Sequence, residues 1–263
     1  MKLQKTIAAG LMLAVVLLAA AFGTARAQNT GTVDIVITAG VNDNFALPTE
    51  PASPSDDLLL LMDPYGGGNR VLFPHRQFDD VAIDRVFGHT FTGLPQDMII
   101  AATLEIRMFA GGSDLVSNDA IHLERTGINN ALSSWGFGLT ALFNLKTGQL
   151  EWKAGSDHTF ILDLANLPPD GDGTTNIIPF MNVDLTLDVY VQDDTAVDYM
   201  ILTLTVPKGE KVTICHIPPG NPSNAQTITV GSAAVNAHLN HGDTLGECGD
   251  KDDHNGKGGR GKR

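Results

Sequence analysis

The chain has 263 residues, 43% of them hydrophobic, and carries 30 acidic against 17 basic side chains for a net charge of −13 at neutral pH. Acidity of that size excludes a nucleic-acid-binding domain, which needs a basic face for phosphate. The length is ample for a proper core, and the two cysteines admit one intramolecular disulfide.

Residues 1–27 read as a secretory signal peptide. Lys2 and Lys5 precede an apolar run from Ile7 to Phe22, and Ala25-Arg26-Ala27 supplies a small-x-small cleavage site before Gln28. The run is short for a membrane span, and no stop-transfer pattern follows. The expectation is a secreted, periplasmic or cell-surface protein without a membrane span. Loss of Lys2, Lys5 and Arg26 with the leader removes three positive charges and takes −13 to −16.

Residues 28–77 combine an N-terminal strand, Val33 to Ile37, with a proline- and glycine-rich linker region. The prolines between Pro48 and Pro54 remove ladder donors and predict loop. Leu58 to Met62 is a short apolar run, and Asp63-Pro64-Tyr65-Gly66 turns the chain.

Over residues 78–207 the signal is that of short strands. Leu104, Ile106 and Met108 alternate with Glu105 and Arg107, the period of a strand with one wet face. Strands are likewise expected at Thr90–Thr92, Ala120–Glu124, Gly138–Phe143, Thr159–Leu164, Leu185–Val191 and Met200–Val206, separated by turns such as Lys146-Thr147-Gly148 and Pro168 to Gly173. With no amphipathic helix among them, the fold class is all-β, an antiparallel β-sandwich or jelly-roll-like domain. Trp135 and Trp152 are expected in or beside the core rather than on a sugar-stacking platform.

Several turns concentrate the hard oxygen ligands that calcium requires: Asn42-Asp43-Asn44, Asp79-Asp80, Asn118-Asp119, Asp170-Gly171-Asp172, and Asp193-Asp194 with Asp198. Turns also favour Asp, Asn and Gly for backbone reasons alone. Asp193, Asp194 and Asp198 are singled out as the expected calcium ligands. No Gly-x-Ser-x-Gly elbow or His-Glu-x-x-His helix is present, so no catalytic residue is assigned and the protein is read as a non-enzyme.

Residues 208–248 form a more specific segment. Cys215-His216-Ile217-Pro218-Pro219-Gly220-Asn221-Pro222 follows a strand beginning at Lys211, Thr227 to Val230 reads as a second strand, and Ala237-His238-Leu239-Asn240-His241-Gly242-Asp243 leads to Cys248. In an oxidising compartment Cys215 and Cys248 are expected to pair, a bond worth about 3 to 4.7 kcal/mol in the chain-entropy description. Ser232 is expected to cap a helix from Ala233 to Asn240 or His241, ended by Gly242, with His238 and His241 sharing one face. His216, His238 and His241 then suit zinc or copper, with Asp243 as a fourth ligand or as a partner to the imidazoles. The alternative is that these histidines hold the turns and bind nothing.

The segment from Lys211 to Cys248 resembles a C-terminal module of exported bacterial proteins, of the form Cys-His-x-Pro-Pro-Gly-Asn-Pro, an Ile-Thr-Val strand, then Ala-His-Leu-x-His-Gly-Asp-x-x-Gly-x-Cys. The resemblance implies a unit appended to varied exported proteins and assigns no activity; Gln226 stands where histidine would also fit. Residues 249–263 lack apolar side chains and are expected to be a disordered tail. Three functions follow from this reading. The first is an exported binding or adhesion protein whose extracellular ligand is a glycan or similar molecule, held with calcium's help. The others are a zinc or copper protein built on the histidines, and a structural surface or matrix component.

Overall fold

The computed structural model describes residues 31–62, 76–81, 86–95, 98–111, 119–123, 135–171, 173–192 and 195–249. The expected signal peptide, the turn after Met62, Asp193 and Asp194, and the tail beyond Gly249 lie outside these residues.

Eleven strands are present among them: β1 (Thr32–Gly40), β2 (Phe87–Thr92), β3 (Ala101–Ala110), β4 (Ala120–Leu123), β5 (Trp135–Gly138), β6 (Asp157–Asp163), β7 (Thr186–Val191), β8 (Thr195–Pro207), β9 (Lys211–His216), β10 (Gln226–Gly231) and β11 (Thr244–Leu245). One sheet has the order β1-β8-β3-β6 and a second β2-β7-β4-β5; their pairings are antiparallel. The alternation in β3 holds, with Ala102, Leu104, Ile106 and Met108 buried. They share a continuous core with Leu202 and Leu204 of β8 and with Phe87, Ile121, Leu187 and Val189 of the second sheet. The expected all-β sandwich architecture is therefore present.

Helices interrupt it, against expectation. α1 (Asp56–Met62) contains the apolar run after the proline-rich loop, α2 (Leu139–Thr147) replaces the strand expected at Gly138–Phe143, and α3 (Ile178–Asp184) precedes β7. In α2, Leu139, Leu142 and Phe143 recur at the i, i+3, i+4 spacing of a buried helix face. Gly148, at φ 75°, then closes the helix in the left-handed conformation that glycine adopts freely. The apolar residues alone suited either element; the periodicity and that glycine decide for helix.

Strands β9, β10 and β11 form a third sheet in the order β10-β9-β11, with a short helix α4 (Val235–Leu239) between β10 and β11 in the chain. Val212, Ile214, Val235 and Leu245 belong to the same core as the sandwich. Close contact at Gly93 helps: a Cβ there would lie 2.5 Å from the Leu245 carbonyl oxygen. Ser232 does not cap α4. Its buried hydroxyl donates to Pro207 O (3.2 Å) and accepts from Gly209 N–H (3.2 Å), tying the start of this unit to the end of β8.

Candidate functional site

The disulfide is formed between Cys215, the penultimate residue of β9, and Cys248. Neither thiol is therefore a metal ligand, and the chemistry of this unit falls to its imidazoles and Asp243. β9 delivers His216, α4 delivers His238, and the chain turns through Gly242, at φ 92°, to bring Asp243 back between them. The Asp243 side chain is wholly buried. Its Oδ1 accepts the Ile217 N–H at 2.7 Å, while Oδ2 lies 2.9 Å from His216 Nδ1 and 2.8 Å from His238 Nδ1. The two rings stand edge to face, with centroids 5.8 Å apart.

Burial by itself pushes the Asp243 carboxyl up. The hydrogen bonds of His216, the Ile217 N–H and His238 outweigh it and hold the group down at about 2. Because Oδ2 can only accept, each imidazole hydrogen-bonded to it carries its proton on Nδ1. Nε2 of a neutral ring is then the lone pair left for a ligand, the orientation that a carboxylate imposes on metal-binding histidines. Alternatively, a cation could replace those protons between the two Nδ1 atoms and the carboxylate, since His216, His238 and Asp243 each offer a ligand atom within 4.8 Å of the others.

His241 stands outside this group. α4 ends at Leu239, so His238 and His241 do not share a helix face, and His241 is exposed. The helix expected from Ala233 to Asn240 or His241 is instead a 3-10 turn at Ser232–Ala234 followed by the five residues of α4. Of the calcium ligands named from sequence, Asp198 is fully buried in β8 and its Oδ2 accepts from Arg107 Nη1 at 2.8 Å.

A cleft of about 720 Å³ lies between the sandwich and the C-terminal unit. Its walls are the β1 segment 36–40, the β2 segment 89–92, the end of α4 and β11. Sequence reasoning missed it because its walls are far apart along the chain. His89, on one wall, lies edge to face with Phe78 and Phe91 and accepts the Ser53 N–H on Nδ1 (3.2 Å). Burial drives its pKa down to about 4, so the ring is neutral at physiological pH.

The opposite wall is a sheet edge. β1 is the outer strand of its sheet, and Asn236 of α4 reads part of its free side: the carboxamide accepts the Val36 N–H (3.1 Å) and donates to Asp34 O (2.7 Å). Backbone groups alternate along an antiparallel strand, so Thr38 presents its N–H and C=O on that same free side, inside the cleft. Both tryptophans are buried, Trp135 completely and Trp152 to 3% exposure, and form no exposed platform. No protein-family model matches this chain and no curated protein matches it, so what the site does is argued from its geometry.

Proposed function

We propose that this is an exported, non-enzymatic binding protein that holds an extended ligand in the cleft between the β-sandwich and the C-terminal unit. Export rests on the leader-like N-terminus, and the disulfide is compatible with it. Among the described residues no helix is long and apolar enough to cross a membrane.

The observation that carries the binding reading is the free edge of β1 within the cleft. Asn236 already behaves toward Val36 and Asp34 as a neighbouring strand would. A ligand continuing that line past Asn236 would find the Thr38 N–H and C=O, with apolar contacts from Phe91 and Leu239 alongside. Strand addition of this kind gives affinity through main-chain hydrogen bonds, which favours a peptide segment over a glycan. The buried tryptophans favour the same choice.

Thr38→Pro tests it. Proline is tolerated on a free strand edge, where its missing N–H is not part of the ladder. The fold should survive while binding is lost, read by screening the purified protein and the variant against an extended-peptide library and a glycan array. Ligands that bind both proteins equally would refute the cleft. Hydrolysis of a bound ligand, abolished by a single substitution, would refute the non-enzymatic reading.

A second reading has its own observation, the convergence of His216, His238 and Asp243. As a zinc or copper centre it predicts metal in carefully purified protein by elemental analysis, and its loss with His238→Ala. Metal-free protein that folds and binds normally would leave these residues a purely structural role.

A further inference from the structure

The strongest further feature lies just past the C-terminal end of β1, where separate parts of the chain bring carboxylates together. Asp43 and Glu50 belong to the loop that joins β1 to α1, and Asp79 sits in the turn before Val81. Their oxygens lie within 4.8 Å of one another. Asp198 joins them from β8, its carboxyl against that of Asp79. A register shift between Arg107 and Met108 of β3 places Asp198 there: Arg107 is opposite Tyr199 and Met108 opposite Val197, so Asp198 is the residue left over at a bulge.

Among the described residues, Arg107 is the cation hydrogen-bonded to this cluster, and it is shared with other acceptors. Arg107 donates from Nη1 to Asp198 (2.8 Å), and from Nη2 to Asp157 (2.8 Å) and Asn44 (2.7 Å). Asp198 Oδ1 also accepts the Phe45 N–H at 3.4 Å, and Asp43 Oδ1 the Ala46 N–H at 2.9 Å. Asp79 receives nothing comparable. It is 1% exposed, yet neither carboxylate oxygen has a hydrogen-bond donor, and Glu50 Oε2 is buried in the same condition. A buried carboxylate without a donor is strongly disfavoured. Burial first, then the carboxyl-to-carboxyl hydrogen bonds that only its protonated form can donate to Glu50 and Asp198, then their negative charge, push the Asp79 carboxyl far above the usual range.

Among the described residues, both oxygens of the ionised Asp79 are thus held in a pocket of other oxygens with no donor of their own. We propose that Asp43, Glu50, Asp79 and Asp198 form a calcium site. The donor set is all oxygen, as a hard cation requires, and contains no imidazole or thiolate that would favour zinc or copper. A separation within 4.8 Å is compatible with the span across one calcium shell, about 4.6 to 5.2 Å from paired bonds of 2.3–2.6 Å. Asp43 is exposed, which leaves water a place in the coordination shell. The site is distinct from the histidine cluster and does not depend on the cleft binding a peptide. It would nevertheless fix the loop joining Gly40 to Pro51, two residues of the cleft wall.

The experiment is calorimetric titration of calcium chloride into purified protein stripped with chelator, paired with thermal unfolding. Magnesium and zinc chlorides serve as controls. Expected are one bound calcium per chain, a higher Tm with calcium, and little or no response to magnesium. Asp79→Asn, which keeps the shape and removes the charge, should weaken calcium binding at least tenfold and raise the Tm of the metal-free protein. Should that variant fail to fold, Asp43→Asn at the exposed rim and Glu50→Gln must each weaken binding. No heat and no Tm change at millimolar calcium would overturn the proposal and leave Asp79 a protonated acid. Calcium binding unchanged in Asp43→Asn and Glu50→Gln would overturn it too, by placing the ion elsewhere.

Discussion

Asp243 and Asp79 are both buried carboxylates on turns, and they differ in what surrounds them. Asp243 has a backbone N–H on one oxygen and two imidazole nitrogens on the other, and its charge is stabilised to the point that its pKa falls to about 2. Asp79 faces Glu50 and Asp198, has no donor on either oxygen, and its pKa moves the opposite way. Burial opposes ionisation in both cases; the donors decide the outcome. A carboxylate completed by its own protein is sufficient as a structural element, whereas one left incomplete requires a proton or a cation.

Substitution should expose that difference as a change of sign. Asp243→Ala strands the Ile217 N–H and both imidazoles and should cost about 3 to 5 kcal/mol in urea unfolding. An effect below about 1 kcal/mol would show that the network is dispensable. Cutting the adjacent cross-link, by Cys215→Ser with Cys248→Ser, should cost about 3 to 4.7 kcal/mol. If the Asp243 network instead holds the unit closed alone, the loss will be much smaller.

Titration separates the histidines. His89 has a folded pKa of about 4 against an ordinary value of 6.5, so its contribution is present above pH 6.5 and is lost as pH falls toward 4. The loss should total about 3 kcal/mol, removed by His89→Gln if the variant folds. Asp243 remains ionised through that window, and its contribution disappears only as pH falls from 3.8 toward 2. The raised pKa of Asp79 gives the opposite slope over this window, so the parent must be read against the variant: a His89→Gln protein whose stability follows the same pH course as the parent would show that His89 is not buried as a neutral ring. The smallest expected effect is opposite in sign: Asp79→Asn should stabilise metal-free protein by about 1 to 2 kcal/mol. A destabilisation of that size would mean that Asp79 already has a partner.

Local patterns revealed much of the fold. The alternation of Leu104, Ile106 and Met108 located β3, and the residues around Cys215, Thr227 and Cys248 indicated the strands and cross-link of the C-terminal unit. α2 reads as a strand from its apolar content, and only the i, i+3, i+4 spacing of Leu139, Leu142 and Phe143 together with the terminating Gly148 marks it as a helix. His241 was grouped with His238 because the spacing allowed it, but the helix ends two residues too soon. The carboxylate cluster was only half visible. Asn42-Asp43-Asn44 and Asp79-Asp80 stand out as oxygen-rich turns, and Asp198 only as a companion of Asp193 and Asp194, yet no local spacing joins positions so distant. Their convergence depends on a bulge in β8 and on the return of the chain past β1. The cleft depends on the same long-range packing.

Asn236 has one consequence for the life of the protein in a crowded medium. An outer strand with bare amides is an invitation to pair with another copy, and proteins commonly guard such strands with charge, proline or a covering segment. Here a single carboxamide on α4 covers the Asp34 and Val36 stretch of β1. The C-terminal unit is therefore also a sheath: clipping it off would bare the outer strand together with the core surface that Val212, Ile214, Val235 and Leu245 cover, and so invite aggregation.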